Sequence, residues 1–179
     1  MKTARYSFRP VLLLMFLAQW MACQATDLSQ PVESQTGSAA RPQRIEDFDA
    51  GWLFSKSDDA TAMMPEFDDH NWQPVNVPHD WSSDGPFSDQ YASGTGYAPG
   101  GVGWYRKHFQ LGTNQMGRVV TIEFDGVYDN SEVWINGHFA GRRPYGYSSF
   151  EYHLTRFLNF GPQANVIAVR VDHSRLADS

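Results

Sequence analysis

Gly103-Trp-Tyr-Arg-Lys-His-Phe109, Val119-Val-Thr-Ile-Glu-Phe-Asp125-Gly126 and Ser131-Glu-Val-Trp-Ile-Asn-Gly137 follow one another through the middle of the chain, and each alternates with period two. In the second block Val120, Ile122 and Phe124 fall on one face and Thr121, Glu123 and Asp125 on the other, the pattern of a strand with one dry side. In the third, Val133 and Ile135 oppose Glu132, Trp134 and Asn136. Asn136-Gly137 then supplies the two positive-φ residues of a tight type I′ hairpin into His138-Phe-Ala-Gly141. The centre of the molecule is therefore an antiparallel sheet that the remaining segments must cover.

Outward from that centre, Ser149 to Leu154 reads as a strand, and Thr155 to Leu158 as a short turn carrying Phe157 and Leu158 inward. Asn165 to Val171 reads as the last strand, with Ile167, Val169 and Val171 on one face. Towards the N-terminus, Ile45, Phe48, Trp52, Leu53 and Phe54 form the first apolar cluster, with Trp52 to Phe54 in a strand, and one helical turn fits Thr61 to Pro65. Pro74 and Pro78 remove backbone donors and confine Val75 and Val77 to an edge strand or an extended loop. Ser82 to Val102 is a long Gly- and Pro-rich loop, a type that is usually functional or mobile. Many short strands, almost no helix and long loops at strand ends predict an all-β fold, an antiparallel β-sandwich of jelly-roll type.

At 179 residues the chain has room for one domain and a leader. Its formal net charge of -6 argues against nucleic acid as a partner, because binding phosphate requires a concentrated basic surface. Lys2, Arg5 and Arg9 precede the apolar run Val11 to Ala18, which is too short to span a bilayer and reads as an export signal over residues 1–23. Cys23, the only cysteine, follows in Trp20-Met-Ala-Cys23 and resembles the lipidated residue of a bacterial lipobox; a buried or discarded cysteine is the other reading. The expected location is accordingly outside the cytoplasm: periplasmic, secreted, or held at the outer membrane through a lipid anchor. Residues 24–44 are polar, lack aromatics and read as a flexible tether, with the fold beginning near Ile45 and running through residues 45–179.

Asn76-Val-Pro-His-Asp-Trp81, Gly101-Val-Gly-Trp-Tyr-Arg-Lys107, Phe124-Asp-Gly-Val127, Glu132-Val-Trp-Ile-Asn-Gly137 and Asn165-Val-Ile-Ala-Val-Arg-Val171, in this order, resemble the N-terminal sugar-binding domain of family 2 glycoside hydrolases, in the style of bacterial β-galactosidases. The resemblance implies a galactose-binding-domain-like jelly roll. Its partners would be a carbohydrate, most simply a β-galactoside, and the immunoglobulin-like and TIM-barrel domains of a retaining hydrolase. A barrel alone takes roughly 250 residues, and the family's acid/base glutamate lies in an Asn-Glu pair on it. No Asn-Glu pair occurs in this sequence, so neither catalytic role is carried over, and a reading frame broken or truncated after Ser179 is the expectation. The chain alone is expected to be inactive.

Asp80, between His79 and Trp81 at the start of the long loop, could accept hydrogen bonds from sugar hydroxyls as a lip of a neighbouring pocket, or could pin its own loop. Tyr97, at the tip of Gly94 to Gly101, is the residue that could reach furthest. Trp81, Trp104, Tyr105 and Trp134 admit a sugar-stacking reading, with Trp104 the favoured contact, against packing in the core or against another domain. Arg142, Arg143 and Tyr145 read as a hydroxyl-recognising rim or as a solvated loop. The six histidines show no ligand spacing, so neither a metal nor a cofactor is expected. Two other functional readings stand beside the hydrolase domain: an autonomous carbohydrate-binding module at the cell surface, and a non-functional remnant.

Overall fold

The computed structural model describes residues 4–10, 44–91 and 96–174. Their strands are β1 (Ala4–Pro10), β2 (Arg44–Asp47), β3 (Trp52–Ser55), β4 (Gln73–Val75), β5 (Gly101–Phe109), β6 (Arg118–Phe124), β7 (Ser131–Ile135), β8 (His138–Arg143), β9 (Phe150–His153) and β10 (Asn165–His173). All pairings are antiparallel, in a four-stranded sheet of order β2-β1-β6-β9 and a six-stranded sheet of order β4-β3-β5-β10-β7-β8. Among the described residues there is no α-helix; Ala60–Met63, Thr113–Gln115 and Thr155–Phe157 are single 3-10 turns. This is the jelly-roll sandwich that the alternation requires.

Val120, Ile122 and Phe124 of β6 are buried in one cluster or its neighbour with Tyr105 of β5, Val133 and Ile135 of β7, and Ile167, Val169 and Val171 of β10. Each such side chain removed from water contributes about 1.5–3 kcal/mol. Pro74 lies in β4 at the edge of the larger sheet, where a missing N–H breaks no ladder.

The outer face of the larger sheet is covered as well. Residues 60–72 fold back over it, so that Ala62, Trp104 and Ala168 are buried together with Met63, Phe67, Trp72 and Trp134 packed around them. Beneath this cover lies Arg106, fully buried. Its Nε donates to Asp69 Oδ2 at 2.7 Å, and its other nitrogens donate to the carbonyls of Ala62, Met64 and Pro65. His108 Nε2 lies 2.8 Å from the same carboxylate oxygen. Burial works against the Asp69 charge, but Arg106 and His108 outweigh it and hold the carboxyl below its ordinary range.

The fold also reaches further towards the N-terminus than the apolar pattern suggests. β1 sits between β2 and β6, with register Arg5↔Asp47 on one side and Arg5↔Glu123 on the other, and among the described residues β2 pairs with no other strand. A leader ending at Cys23 would carry β1 away with it. The run Val11 to Ala18, Cys23 and the tether 24–43 lie outside the described residues.

Candidate functional site

The two ends of β10 differ in kind. At the Asn165 end, the hairpin turn has φ 50° at Asn136 and 79° at Gly137, as a type I′ turn demands. Asn136 does more than turn: its Nδ2 donates to Phe157 O at 2.7 Å and to Asn165 Oδ1 at 2.8 Å, and its Oδ1 accepts from Val166 N at 2.8 Å. Asn165, fully buried, also accepts from Asn159 N and donates to Asn159 O. Two side-chain amides are thus spent on one another and on backbone, that of Asn159 included, and this end is closed.

At the His173 end, loops converge. Trp81 is buried against Phe54 and Gly103, where an added Cβ would lie 2.9 Å from the Phe54 ring and 3.2 Å from Trp81 Nε1, so glycine lets the loop root itself there. His79 Nδ1 shares a 2.8 Å hydrogen bond with Tyr105 OH. Burial depresses the imidazole against the raising influence of Asp84 and Asp80, and burial also pushes the Tyr105 phenol up. Asp80, exposed, accepts from Ser82 N at 3.0 Å and from Ser82 Oγ at 2.6 Å. Partial burial opposes its charge; the Ser82 bonds and the nearby His173 prevail and keep it ionised. The loop-pinning bonds are therefore present, and the carboxylate still faces solvent.

The far limb of the loop places Phe87, Ser88, Asp89 and Tyr97 around a shallow cleft of about 310 Å³, with Ser88 N donating to Tyr97 O at 3.0 Å. Tyr97 is half exposed at φ 63°. On the other side of His173, Tyr128, Tyr145 and Tyr147 are exposed beside a second cleft, of about 490 Å³, lined by Asn130, Arg142, Pro144, Asp172 and Ser174.

The sequence matches the family described as "Glycosyl hydrolases family 2, sugar binding domain" over residues 42–179. The chain belongs to that family. It is 47% identical over 146 residues to the β-galactosidase BoGH2A of Bacteroides ovatus, covering 80% of this chain and 17% of the relative. It is 34% identical over 131 residues to a β-glucuronidase of Formosa agariphila, covering 72% of this chain and 13% of the relative. A β-glycosidase structure from Bacteroides vulgatus superposes with a TM-score of 0.67 at 44% identity, covering 71% of this chain and 17% of that one. The chain thus spans between about an eighth and a sixth of the length of the first curated relatives it matches.

Within this family 2 domain, the residues expected at a sugar site are distributed unevenly. Asp80 and Tyr97 stand on the open loop, whereas Trp104 is 1% exposed, its ring packed on Trp134 at 5.3 Å beneath the outer cover. A pyranose has no access to Trp104, and Trp81 and Tyr105 are likewise buried, so the packing reading describes these aromatics. The reason is the segment 60–72, which roofs the face that alternation alone leaves open. Tyr128, Tyr147 and His173 were not singled out in the sequence; the signal that could have found them is the aromatic pair flanking glycine in Tyr145-Gly-Tyr147, inside a loop with no core to fill. Among the described residues no group of three or more His, Cys, Asp or Glu side chains could hold a metal, and no helix is long and apolar enough to cross a membrane.

Proposed function

We propose that this chain forms one wall of the sugar pocket of an exported family 2 hydrolase acting on terminal β-galactosides, with Asp80 and Tyr97 at the lip and the bond-breaking carboxylates on other domains. The observation that carries the family 2 reading is the match over residues 42–179; the galactoside choice leans on the 47% identity to a β-galactosidase over 80% of this chain, which stands beside 47% to a putative β-glucuronidase over 73% of it. The exposed, ionised Asp80 supplies what a hydroxyl-binding lip needs, an acceptor pair rooted by a buried tryptophan. Without an Asn-Glu pair in its sequence, the chain by itself turns over no glycoside. An export leader over residues 1–23 would take the enzyme out of the cytoplasm, to be periplasmic, secreted or held by a lipid on Cys23; its cleavage would remove β1 and leave the domain on its remaining strands.

Two assays test this. Residues 1–179 offered nitrophenyl β-galactoside give no release above buffer, and turnover would overturn the division of labour. Methyl β-galactoside titrated into ¹⁵N-labelled protein shifts amides in residues 78–84, and methyl β-glucuronide does not; equal shifts would remove the galactoside preference. The second reading, an autonomous carbohydrate-binding module, is favoured by the exposed tyrosines at the same end. It predicts affinity for extended glycans without any catalytic partner.

A further inference from the structure

Tyr128, Tyr145 and Tyr147 are 43%, 59% and 66% exposed, and the pocket wall does not use them. They are not loose. Tyr128 and Tyr147 lie 5.1 Å apart at 53°, Tyr145 and Tyr147 5.8 Å apart at 60°, and His173 meets Tyr128 edge-on at 5.0 Å. Gly146 allows this: a Cβ there would stand 2.6 Å from Tyr128 Cα, so only glycine brings the 144–147 loop so close. Backbone bonds fix the surroundings, with Asn130 N donating to Pro144 O and Asp172 N to Asp129 O, each at 3.2 Å. The rings are therefore held before any ligand arrives, which lowers the entropy lost on binding.

The adjoining cleft offers complementary chemistry. Asn130 is two residues on from Tyr128, Pro144 precedes Tyr145, and Asp172 and Ser174 flank His173, so the polar lining is continuous along the chain with the ring cluster. Its volume, about 490 Å³, falls in the range of roughly 300–1,000 Å³ typical of small-molecule sites. An amide, a guanidinium and a carboxylate are the groups that share donors and acceptors with vicinal hydroxyls, while the tyrosine faces suit the apolar C–H faces of a pyranose. Asp172 is bonded by Ser174 and by Arg170 at 3.2 Å, and Arg142 and Asp172 carry opposite charges, so the lining has no net charge that would select an acidic sugar over a neutral one.

We propose that Tyr128, Tyr145 and Tyr147, with the Asn130–Arg142–Asp172 cleft beside them, form an accessory subsite for a neutral oligosaccharide of two or more hexopyranose units. It shares with the pocket-wall reading only the premise that this domain handles carbohydrate. The subsite extends the reach of the domain along a glycan, beyond the terminal sugar at Asp80.

Calorimetry on residues 1–179 with β-1,4-galactotetraose tests it. Tyr147→Ala weakens binding by about tenfold or more, whereas Tyr147→Phe, which keeps the ring, stays within about threefold. Glu123→Gln, on the exposed face of β6, leaves tetraose affinity within about twofold, and a tetragalacturonate binds no more tightly than the neutral chain. Near-ultraviolet circular dichroism confirms that each variant is folded. No heat with the tetraose, as expected if the patch packs on another protein domain, overturns the subsite. So does binding that falls with Asp80→Asn and ignores Tyr147→Ala; that result leaves the pocket wall standing. Binding that follows Tyr147 alone, with no response of residues 78–84 to methyl β-galactoside, upholds the subsite and removes the wall.

Discussion

The Asn165 and His173 ends of β10 belong to one strand and one sheet, yet they dispose of polar and aromatic groups in opposite ways. At the first, Asn136, Asn159 and Asn165 hydrogen-bond one another and the backbone. At the second, Asp80, Tyr97, Tyr128, Tyr145 and Tyr147 face outward on loops whose roots are buried. The difference teaches where to look for function in a sandwich: satisfied amides mark the end that sets register, and exposed groups on rooted loops mark the end at which to search for a ligand site.

Both ends rest on β5, so the largest expected effect lies in what they share. Asp69→Asn leaves the Arg106 guanidinium buried without its counter-charge and should cost about 3–5 kcal/mol in urea unfolding, with both ends losing amide protection together. Loss confined to one end would show that the clamp is local. Asn165→Ala follows at about 2–3 kcal/mol, because several donors and acceptors of the closed end lose partners inside the protein. That variant leaves glycan contacts unchanged, and a matching drop in sugar affinity would blur the distinction between the ends.

Acid provides a smaller test. Asp69, Asp80 and Asp172 are all held below their ordinary range; in each, burial acts against the charge, and hydrogen bonds and nearby cations prevail. An unfolded aspartate titrates near about 3.9, so below that pH the unfolded chain binds protons first. The stability these groups contribute is present above about pH 4 and is lost as pH falls through their lower folded values. The double variant Asp80→Asn/Asp172→Asn should flatten that acid limb, and an unchanged limb would mean the open end contributes nothing to it. Smallest of all, Tyr147→Ala should change folding stability by less than about 0.5 kcal/mol, as surface substitutions do. A larger loss would make the tyrosine cluster part of the scaffold.

Much of the scaffold was legible because burial writes itself into alternation: β6, β7 and β10 have the inward faces that their sequences show, and Asn136-Gly137 turns as its chemistry dictates. Arg106 was not legible. A charged residue on the strand face of Trp104 reads as solvated until the segment 60–72 closes over both, and nothing local to β5 announces that roof. Trp104 was misjudged for the same reason. β1 was hidden because a basic stretch before an apolar run is the mark of an export leader, and strand pairing leaves no competing signature in so short a segment. A chain begun at Gln24 should melt at a lower temperature than residues 1–179, since β2 and β6 then lose their shared partner; equal melting would show that β1 adds nothing. The exposed loop positions of Asp80 and Tyr97 were readable from the Gly- and Pro-rich run, whereas the tyrosine cluster depends on a contact between the 128–130 and 144–147 loops that no spacing encodes.

The most direct test is an amide-resolved NMR titration of residues 1–179 with β-1,4-galactotetraose. Shifts confined to residues 78–84, 97–101, 128–130, 142–147 and 172–174, with Asn136, Asn159 and Asn165 silent, are the predicted result. Shifts centred on the hairpin end, or none at saturating sugar, would contradict the assignment of the open end to carbohydrate.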